Sequence, residues 1–458
     1  MDNLLSPWKL IAGFDVKKID GIAQMILEKV GLKVPREDIR EKLSSTGKVK
    51  IEGERVLIPE GTLGEFWPQP QKRKSTPERK NLYIYASEWP LFFLDPESLE
   101  IRPFDREHLI AYTKLLDSYF GTDIGGTCPG RLQDVPPLLR EIETYYILCR
   151  YSRSARFPLV GDENIFDWMR RIAEVMGHEL YTSVFVFSPL TFYGNSLNVA
   201  LKFNELFQTV GIASMPILGI SAPLEWNTAW GQAVAESIGG YILLRLLGFD
   251  NVVYDISIYP GSMESGAVAF GSPEHLFCIL TRAKVREFYG LSWNPAETML
   301  TTAILPGPQA SAEKSALTAI AALAGCRVIE GAGTLGIDEI FSPQQFMIDV
   351  EIKGYIDRIL EGFEIVEESN SLELILEGIK DGHFLATPWT SSHWRKYYWL
   401  PQLFHQLKLP QRLAKREDIL AEAWEKARKR IEENSYELEV SKLKELDKIL
   451  KRARRELI

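Results

Sequence analysis

The sequence has little of what a disulfide scaffold, a zinc site or a membrane span requires. Its four cysteines, among 458 residues, are widely spaced and include no C-x-x-C pair, which argues against a disulfide framework and favours a reducing compartment, the cytoplasm. The longest apolar stretch, residues 238–249, is interrupted by Arg245 and falls short of the ~20 residues of a membrane-spanning helix. The first residues lack the apolar core of a signal peptide. We therefore expect no association with a membrane.

Basic charge and common catalytic signatures are scarce too. The chain has 53 Lys and Arg against 62 Asp and Glu, a formal net charge of −9, which argues against a nucleic-acid partner. None of the six histidines stands in an H-x-H or H-E-x-x-H motif. His383 and His393 could meet in space, but the sequence indicates no third zinc ligand. G-x-S-x-G is absent, and Cys128 is interpreted as a small buried residue, so we predict no metal site and no nucleophile supplied by the chain.

The first 104 residues predict an N-terminal α+β cap. Apolar residues recur at helical spacing over residues 16–30, and Pro35 suits the first turn of a second helix. The alternating stretches VKIEG and RVLIP, joined at Gly53 and Glu54, are typical of a β-hairpin. Residues 69–80 are polar and contain proline, which indicates a linker, and short strands are expected between 83 and 104.

From residue 105 onward predicted strands and helices alternate, which is the pattern of parallel β-α units. The predicted fold class is α/β: a (β/α)8 TIM barrel over residues 105–409, with an open doubly wound sheet as the alternative. Residues 410–458 predict a C-terminal helical extension, either a solvated helix pair packed on the barrel or a contact in a homo-oligomer. The predicted strands are 122–127, 157–161, 183–188, 215–220, 251–257, 297–302 and 327–332, with an eighth between 363 and 384.

The turns after the predicted strands are where a barrel collects its functional residues. They are rich in Gly, Pro, Ser and Thr and poor in Lys and Arg, which favours a cationic ligand over a phosphate. The turn EGAGTLG (330–336) contains G-x-G-x-x-G, but the next helix is predicted to begin at Ser342 and Pro343. We therefore interpret it as a tight turn rather than a dinucleotide fingerprint, with Glu330 as a positioning candidate.

Aromatic residues on these turns suggest the ligand. A quaternary ammonium binds to aromatic faces because it cannot donate a hydrogen bond, and a carboxylate adds Coulomb attraction. Packing is the alternative role for any single tryptophan, and for His393 a structural role is weighed against substrate contact. His383 is a candidate both for positioning and for contact with the substrate. The predicted substrate-binding residues are Glu225, Trp226, Trp389, His383 and His393.

Several motifs occur in the order of one known family. They include ILEKVGLKVP (26–35), GISAP (219–223) and EGAGTLG (330–336), and the most specific is GHFL with a following Thr, His and Arg (382–395). On these motifs the chain resembles the trimethylamine methyltransferase family, and more narrowly its branch without pyrrolysine, which includes glycine betaine methyltransferase. Further matching stretches are ERVLIPE (54–60), GSPE (271–274) and SPQQFMIDVEI (342–352).

The resemblance implies a (β/α)8 barrel that transfers a methyl group from a methylated amine to the Co(I) of a separate corrinoid protein, in one-carbon metabolism of the methanogenic or acetogenic type. It implies no tightly bound cofactor. The chain departs from the family pattern at SAPLEWNTAW (221–230) and at Trp389-Thr390, which predicts a more aromatic pocket. Glu225 would repel the carboxylate of glycine betaine, so we expect a small methylated, quaternary amine of another kind. The alternatives are a non-catalytic paralogue that binds such amines, and an unrelated barrel lyase or hydrolase.

Overall fold

The computed structural model describes residues 6–68, 81–291, 296–363, 370–415 and 418–458, and it is an α/β structure with mixed sheets. Two short 3-10 helices, Pro7–Ile11 and Asn204–Leu206, accompany the regular elements. The α-helices are α1 (Val16–Lys29), α2 (Glu37–Ser45), α3 (Glu60–Phe66), α4 (Arg106–Asp117), α5 (Pro137–Tyr151), α6 (Glu163–Met176), α7 (Asn195–Lys202), α8 (Trp226–Leu246), α9 (Pro273–Phe288), α10 (Pro308–Leu323), α11 (Pro343–Glu361), α12 (Ser371–Asp381), α13 (Pro388–Tyr397), α14 (Leu409–Lys415), α15 (Ile419–Glu433) and α16 (Val440–Leu457). The strands are β1 (Leu32–Lys33), β2 (Lys50–Glu52), β3 (Arg55–Leu57), β4 (Tyr83–Tyr85), β5 (Phe92–Leu94), β6 (Ile101–Pro103), β7 (Ile124–Gly125), β8 (Tyr181–Phe187), β9 (Thr191–Phe192), β10 (Thr209–Ser214), β11 (Ile217–Leu218), β12 (Val252–Tyr254), β13 (Tyr259–Pro260), β14 (Ala296–Thr298), β15 (Val328–Glu330), β16 (Thr334–Leu335) and β17 (Ile340–Phe341).

Helix α1 confirms the helix predicted over residues 16–30. Asp15 caps it by accepting hydrogen bonds from the backbone N–H groups of the first turn, and its buried residues Ile19, Ala23 and Leu27 lie on one face. That face packs along α8, the most completely buried helix of this region. Close approach is possible because α8 carries Gly231 opposite Ile22, where a Cβ would lie 2.9 Å from the Cβ of Ile22.

The predicted hairpin is also confirmed, because β2 and β3 pair antiparallel around a turn at Gly53 and Glu54. Gly53 has a φ of +60°, a conformation in which glycine has no steric cost. The hairpin joins a larger sheet through β1, which pairs antiparallel with β3 and parallel with β9. The strand order of that sheet is β12-β10-β8-β9-β1-β3-β2.

Two sets of parallel strands form the centre of the molecule. In one set the order is β14-β15-β4-β7, and in the other β8, β10 and β12 lie side by side. Each of these seven strands is followed in the chain by a long helix, and residues 157–161 are followed by α6 in the same way. The carboxyl ends of the strands within each set therefore lie at one edge of the sheet, with the following loops beside them.

The structure differs from the predicted strands in several details. β4 lies within the range predicted as the cap, yet it pairs with β15 and β7, so the alternation begins before residue 105. The range 215–220 contains the two-residue strand β11, and the longer strand β10, which was not predicted, lies just before it at Thr209–Ser214. Residues 157–161 form no assigned strand. In the range 363–384, where an eighth strand is predicted, residues 371–381 form α12, whose apolar residues recur at helical spacing, and residues 364–369 lie outside the described residues. The predicted linker 69–80 lies outside the described residues.

The C-terminal helices pack on the helical layer instead of standing apart. α15 lies against α4 and α11, and α16 lies against α5 and α6. Leu446 and Leu450 of α16 are buried in the same core as these helices. A second core joins α1 and α8 to the strands β8 and β10. Among the described residues, no helix combines the length and the apolar character that crossing a bilayer needs.

The contact between α1 and α8 gives a test of the packing. Gly231→Ala should lower the free energy of unfolding by ~1–3 kcal/mol, because the new methyl group overlaps Ile22, and this outweighs the better helix propensity of alanine. The matched control is Gly21→Ala on α1, where no atom lies within 4 Å of the added Cβ, and it should be neutral or stabilising. Urea denaturation of both variants checks this, and equal effects would contradict the packing.

Candidate functional site

The ends of three adjacent parallel strands bring polar side chains together. Glu330 ends β15 and is paired in register with Tyr85 at the end of β4, which is paired in turn with Gly125 at the end of β7. The preceding residues Ile329 and Ile84 are buried in the apolar core. Because successive side chains of a strand point to opposite faces, Glu330 and Tyr85 both point to the face of the sheet away from that core.

Tyr85 and Glu330 are in direct contact. The hydroxyl of Tyr85 donates a hydrogen bond to Oε2 of Glu330 at 3.3 Å. The ring of Tyr83 lies beside that of Tyr85, with centroids 5.9 Å apart and planes inclined by 30°. Gly125 faces the hydroxyl of Tyr83 so closely that a Cβ there would lie 2.7 Å from that oxygen. The neighbouring strand therefore needs a glycine at this point for Tyr83 to keep its place.

Glu88 lies three residues beyond β4 and is the electrostatic centre of this region. Burial raises the pKa of its carboxyl, against the lowering effect of Arg131. Its negative charge in turn raises the pKa of Glu330, Tyr85 and Tyr181. Together with the hydrogen bond between Tyr85 and Glu330 and the contact of the Tyr83 and Tyr85 rings, these charge effects relate five side chains as one group. We call it the carboxylate–tyrosine cluster: Tyr83, Tyr85, Glu88, Tyr181 and Glu330.

The two carboxyl groups of the cluster are held at raised pKa values. For Glu330 burial is the largest cause, and the charge of Glu88 adds to it, while the hydroxyls of Ser87 and Tyr85 and the guanidinium of Arg282 act in the opposite direction. The same burial raises the pKa of Cys128 to about 12, so that this thiol stays protonated and unreactive. The structure thus agrees with the interpretation of Cys128 as a small buried residue.

Arg131 is the cation that lowers the pKa of Glu88, and its guanidinium is shared among several contacts. Its Nε donates to the backbone oxygen of Glu88 at 3.2 Å, and its guanidinium lies over the ring of Trp89 at 5.1 Å. Its Nη1 is 3.9 Å from Oε1 of Glu141, a carboxyl whose pKa burial also raises. The cluster therefore retains an excess of carboxyl groups.

Strand β8 contributes Tyr181 through its alternating pattern. Thr182, Val184 and Val186 are buried against the core, while Tyr181 and Phe187 are 40% and 52% exposed on the other face. Burial of the hydroxyl and the charge of Glu88 raise the pKa of Tyr181 to about 12, so its ring stays neutral at physiological pH. Aromatic faces and carboxylates together form a surface that suits an organic cation.

The turn after Glu330 is fixed by a buried ion pair. Nζ of Lys314 lies 2.7 Å from Oδ2 of Asp349, and both side chains are fully buried. Lys314 also donates to the backbone oxygen of Gly331 at 2.9 Å, and the N–H of Gly333 donates to Asp349 at 2.8 Å. Gln345 donates to the other oxygen of Asp349 at 2.8 Å. Both ends of the Gly331–Gly333 turn are thereby bound to this pair.

The geometry of this turn confirms the interpretation of EGAGTLG as a tight turn. Gly331 and Gly333 have φ values of +98° and +79°, which only glycine adopts without cost. The following residues form the hairpin β16–β17, and α11 begins after Ser342, whose hydroxyl accepts from the N–H of Gln345. The helix thus begins where Ser342 and Pro343 predicted it, and no helix opens at the third glycine as a dinucleotide site requires.

A cavity of about 630 Å³ lies near the ends of β14 and β15. Its lining includes the carboxyl groups of Glu313 and Glu339 and the hydroxyls of Ser262 and Thr302, with apolar side chains between them and no Lys or Arg. Ile337 lines it with a φ of +71°, which is strained for a β-branched residue. The cavity adds a second space at this edge that favours a cation or a neutral ligand over an anion.

Glu225 and Trp226 lie elsewhere and have other roles. The carboxylate of Glu225 caps α8 by accepting from the N–H groups of Asn227 and Thr228 and from the hydroxyl of Thr228, which lowers its pKa. Trp226 lines a cavity of about 300 Å³ between α8, α9 and residues 10–14. The expectation that Glu225 points into the substrate pocket is therefore corrected, because its oxygens satisfy the free N–H groups of a helix start.

His383, Trp389 and His393 belong to a third place. His383 is exposed just beyond α12, while Trp389 and His393 stack on one face of α13 with ring centroids 4.4 Å apart. Nδ1 of His393 lies 2.9 Å from the backbone oxygen of Trp389. Of the predicted residues, the structure thus brings Trp389 and His393 into contact, whereas Glu330 lies beside residues that sequence analysis did not select.

The missed residues carried a weak sequence signal. Tyr181 begins YTSVFVF, whose alternation predicts a strand with one buried face, and Tyr85 and Glu88 lie in a stretch interpreted as part of the cap. In the part of the chain that the structure describes, no group of three or more His, Cys, Asp or Glu could hold a metal ion. The four cysteines are buried and form no disulfide.

Comparison with known proteins identifies the relatives. A family model described as trimethylamine methyltransferase (MTTB) matches residues 2–457. A trimethylamine methyltransferase MttB from Methanosarcina thermophila is 32% identical over 200 residues, which are 43% of this chain and only 41% of that relative. A glycine betaine methyltransferase from Desulfitobacterium hafniense (strain Y51) is 23% identical over 433 residues, covering 88% of each chain. These matches confirm the resemblance drawn from the sequence motifs.

A similar solved structure is the hydroxylamine complex of MtmB. It covers 92% of this chain and 93% of its own, with 12% sequence identity and a TM-score of 0.42. A similarity of that size carries no argument about the site.

The buried ion pair gives a second prediction. Asp349→Asn removes the negative charge beside the buried Lys314 ammonium, which keeps its hydrogen bond to the backbone oxygen of Gly331. The substitution should lower the free energy of unfolding by ~3–5 kcal/mol. The control is Glu433→Gln, which breaks a 3.8 Å pair between exposed side chains and should change stability by less than ~0.5 kcal/mol. Urea denaturation at neutral pH measures both, and similar effects would show that the pair does not stabilise the turn.

Proposed function

The chain belongs to the trimethylamine methyltransferase family, and from that premise we propose that it is an enzyme that removes a methyl group from a small quaternary amine. The observation that carries this proposal is the carboxylate–tyrosine cluster at the carboxyl ends of β4 and β15. It offers the ammonium group aromatic faces and the negative charge of Glu88 and Glu330. Such a site stabilises a cation that has no N–H to donate.

The charge of the cluster also bears on the rest of the substrate. Glu88 and Glu330 repel a carboxylate, and Arg131 is engaged by Glu88, Trp89 and Glu141. We therefore propose a substrate without a carboxylate, unlike glycine betaine. This extends the argument first drawn from Glu225, which caps α8, to two carboxyl groups that the fold brings together.

The proposed methyl transfer requires little acid–base catalysis by side chains of the protein. When the C–N bond breaks, its electron pair stays on the nitrogen, which leaves as a neutral tertiary amine, so no side chain has to give or take a proton. A corrinoid carried by a separate protein would supply the Co(I) nucleophile that accepts the methyl group. The residues of the chain bind the ammonium, exclude water and orient one methyl group toward the open edge. His383 and His393 have no step to perform in this scheme.

We further propose that the two sets of parallel strands close into one (β/α)8 barrel. Eight strand positions, counting residues 157–161, are each followed by a helix, as in that fold.

Apolar side chains in the loops after the strands are about half or more exposed, including Tyr193, Leu224, Met263 and Ile304. This rim supports docking of the corrinoid-bearing protein at the open edge.

The absence of disulfides among the four cysteines supports the cytoplasm as the compartment.

The activity test uses demethylation with reduced corrinoid. Glu88→Gln and Glu330→Gln should each lower kcat/KM at least ~10-fold, because each removes a charge that faces the substrate nitrogen in a partly dry site. Glu225→Gln should leave kcat/KM unchanged, since that carboxylate caps a helix. Mass spectrometry of the demethylated amine, over a panel of quaternary amines without a carboxylate, gives the measurement.

The outcomes separate the alternatives. Amine binding without demethylation would favour a non-catalytic paralogue, and the absence of both would favour an unrelated barrel lyase or hydrolase. If Glu225→Gln lost activity while the two cluster variants kept it, the site would lie at the start of α8 instead.

The raised carboxyl pKa values give a pH prediction. A bound cation favours the ionised carboxylates, so the affinity for tetramethylammonium should rise as the pH increases from the ordinary glutamate pKa of 4.5 through the raised pKa values of Glu88 and Glu330. Binding in this window should release protons. Calorimetry in buffers of different ionisation enthalpy measures that release, and the double variant Glu88→Gln/Glu330→Gln should show none. An affinity that falls with increasing pH would contradict the assignment.

A further inference from the structure

A cavity between helix α16 and helices α4 and α5 is lined by three cations. Its volume is about 530 Å³. The three positive side chains face a single lining carboxylate, although the chain as a whole carries a formal net charge of −9. A local reversal of charge at a concave surface attracts anions from solution. The lining residues are Arg106, Tyr146, Asp447, Leu450, Lys451 and Arg454.

One buried carboxylate holds both arginines in place. Glu143 of α5 is 2% exposed, and its two oxygens accept from Nε and Nη2 of Arg454, each at 2.7 Å. Nη2 of Arg106 donates to Oε2 of the same carboxylate. A bidentate pair of this kind fixes the plane of a guanidinium. The two arginines are therefore ordered before any ligand binds, and the bonds to Glu143 use the Nη1 atom of neither.

The two guanidiniums lie close enough to repel each other. Burial lowers the pKa of Arg106, and the positive charge of Arg454 lowers it further, while the carboxylate of Asp134 acts in the opposite direction. Because Arg106 and Arg454 share the carboxylate of Glu143, their charges are only partly compensated. An anion bound in the cavity would offset the repulsion between them, so the site gains from a ligand of negative charge.

Asp447 is the carboxylate that lines the cavity, and its charge is partly taken up. The hydroxyl of Tyr146 donates to its Oδ1 at 2.6 Å, and Nη1 of Arg150 donates to the oxygen of that hydroxyl at 3.0 Å. Lys451 lies one helical turn beyond Asp447 on the same face of α16. Asp447 therefore reduces the attraction for an anion without cancelling the three cations.

We propose that this cavity binds a phosphate group, either free or carried by a small molecule. Its cations come from α4 and from α16, so they approach a ligand from different sides. A tetrahedral phosphate presents oxygens in several directions and up to about two negative charges, whereas one guanidinium is enough to match a planar carboxylate. The cavity shares no residue with the carboxylate–tyrosine cluster, so this proposal is independent of the proposed function.

The first arm of the test removes one cation. Lys451→Ala should weaken the binding of inorganic phosphate at least roughly 5-fold, because it deletes a charge that lines the cavity. The matched control is Lys448→Ala, which removes a lysine of the same helix that lies outside the cavity lining and pairs with Glu445 at 2.7 Å. The control should leave the affinity unchanged. Isothermal titration calorimetry at low ionic strength measures the affinities, and circular dichroism shows that both variants fold.

The second arm removes the opposing charge. Asp447→Asn should strengthen phosphate binding at least roughly 3-fold, since the amide keeps an oxygen that accepts from Tyr146 while the repulsion of the ligand is lost. The matched control is Glu445→Gln, which changes the net charge of the chain by the same amount outside the cavity lining. Equal effects of the two variants, or an unchanged affinity in Asp447→Asn, would contradict a phosphate site in this cavity.

The choice of ligands identifies what the cavity recognises. Inorganic phosphate and adenosine monophosphate carry the same group and should both bind to the wild-type chain. Tighter binding of the ester would identify a phosphorylated small molecule as the ligand, and equal binding would identify free phosphate. Acetate bound as tightly as phosphate, adenosine bound as tightly as its monophosphate, or no binding of either phosphate compound would overturn the proposal.

Discussion

The ion pair between Lys314 and Asp349 is the constraint on which the proposed site depends. Burying two charges costs several kcal/mol per ion before their attraction is counted, and burial accordingly lowers the pKa of the lysine and raises that of the aspartate. The structure offsets this by giving both groups further hydrogen bonds, and those bonds end on the backbone of Gly331 and Gly333. The result is a rigid turn directly after Glu330, which fixes where that carboxylate lies.

The carboxyl groups of the cluster built on this turn lack a full counter-ion in the free chain. Burial raises the pKa of both carboxyl groups, and the charge of Glu88 raises that of Glu330 further, while the guanidinium of Arg131 is also engaged by Trp89 and a backbone oxygen. In the free chain this arrangement costs stability, because the charges lack a full counter-ion. A cationic ligand removes that cost on binding, so part of the affinity comes from relieving repulsion that is already present.

The features that the sequence predicted well are those that residues adjacent in the chain determine. The helix capped by Asp15, the hairpin at Gly53 and the helix start at Ser342 and Pro343 all depend on local capping and turn chemistry. β4 lies where short strands are expected, but its pairing with β15 and β7 could not be predicted, because a strand of three residues is too short to display a period. The electrostatic effect of Glu88 on Glu330 and the ion pair of Lys314 with Asp349 join distant parts of the chain for which no local pattern exists. The substrate-binding role predicted for Glu225 differs from its observed role because a glutamate beside a tryptophan suits a cation site as well as a helix cap.

The close approach of Gly125 to Tyr83 has a consequence for how this site can change. The residue that limits the position of the Tyr83 ring lies on a different strand and contributes no side chain of its own. Any larger residue there would overlap the Tyr83 hydroxyl and displace the ring, so the shape of the aromatic surface would change while every aromatic face and carboxylate kept its identity. A lineage carrying this fold can therefore alter the shape of the amine it accepts through a backbone position, leaving the chemistry of recognition untouched.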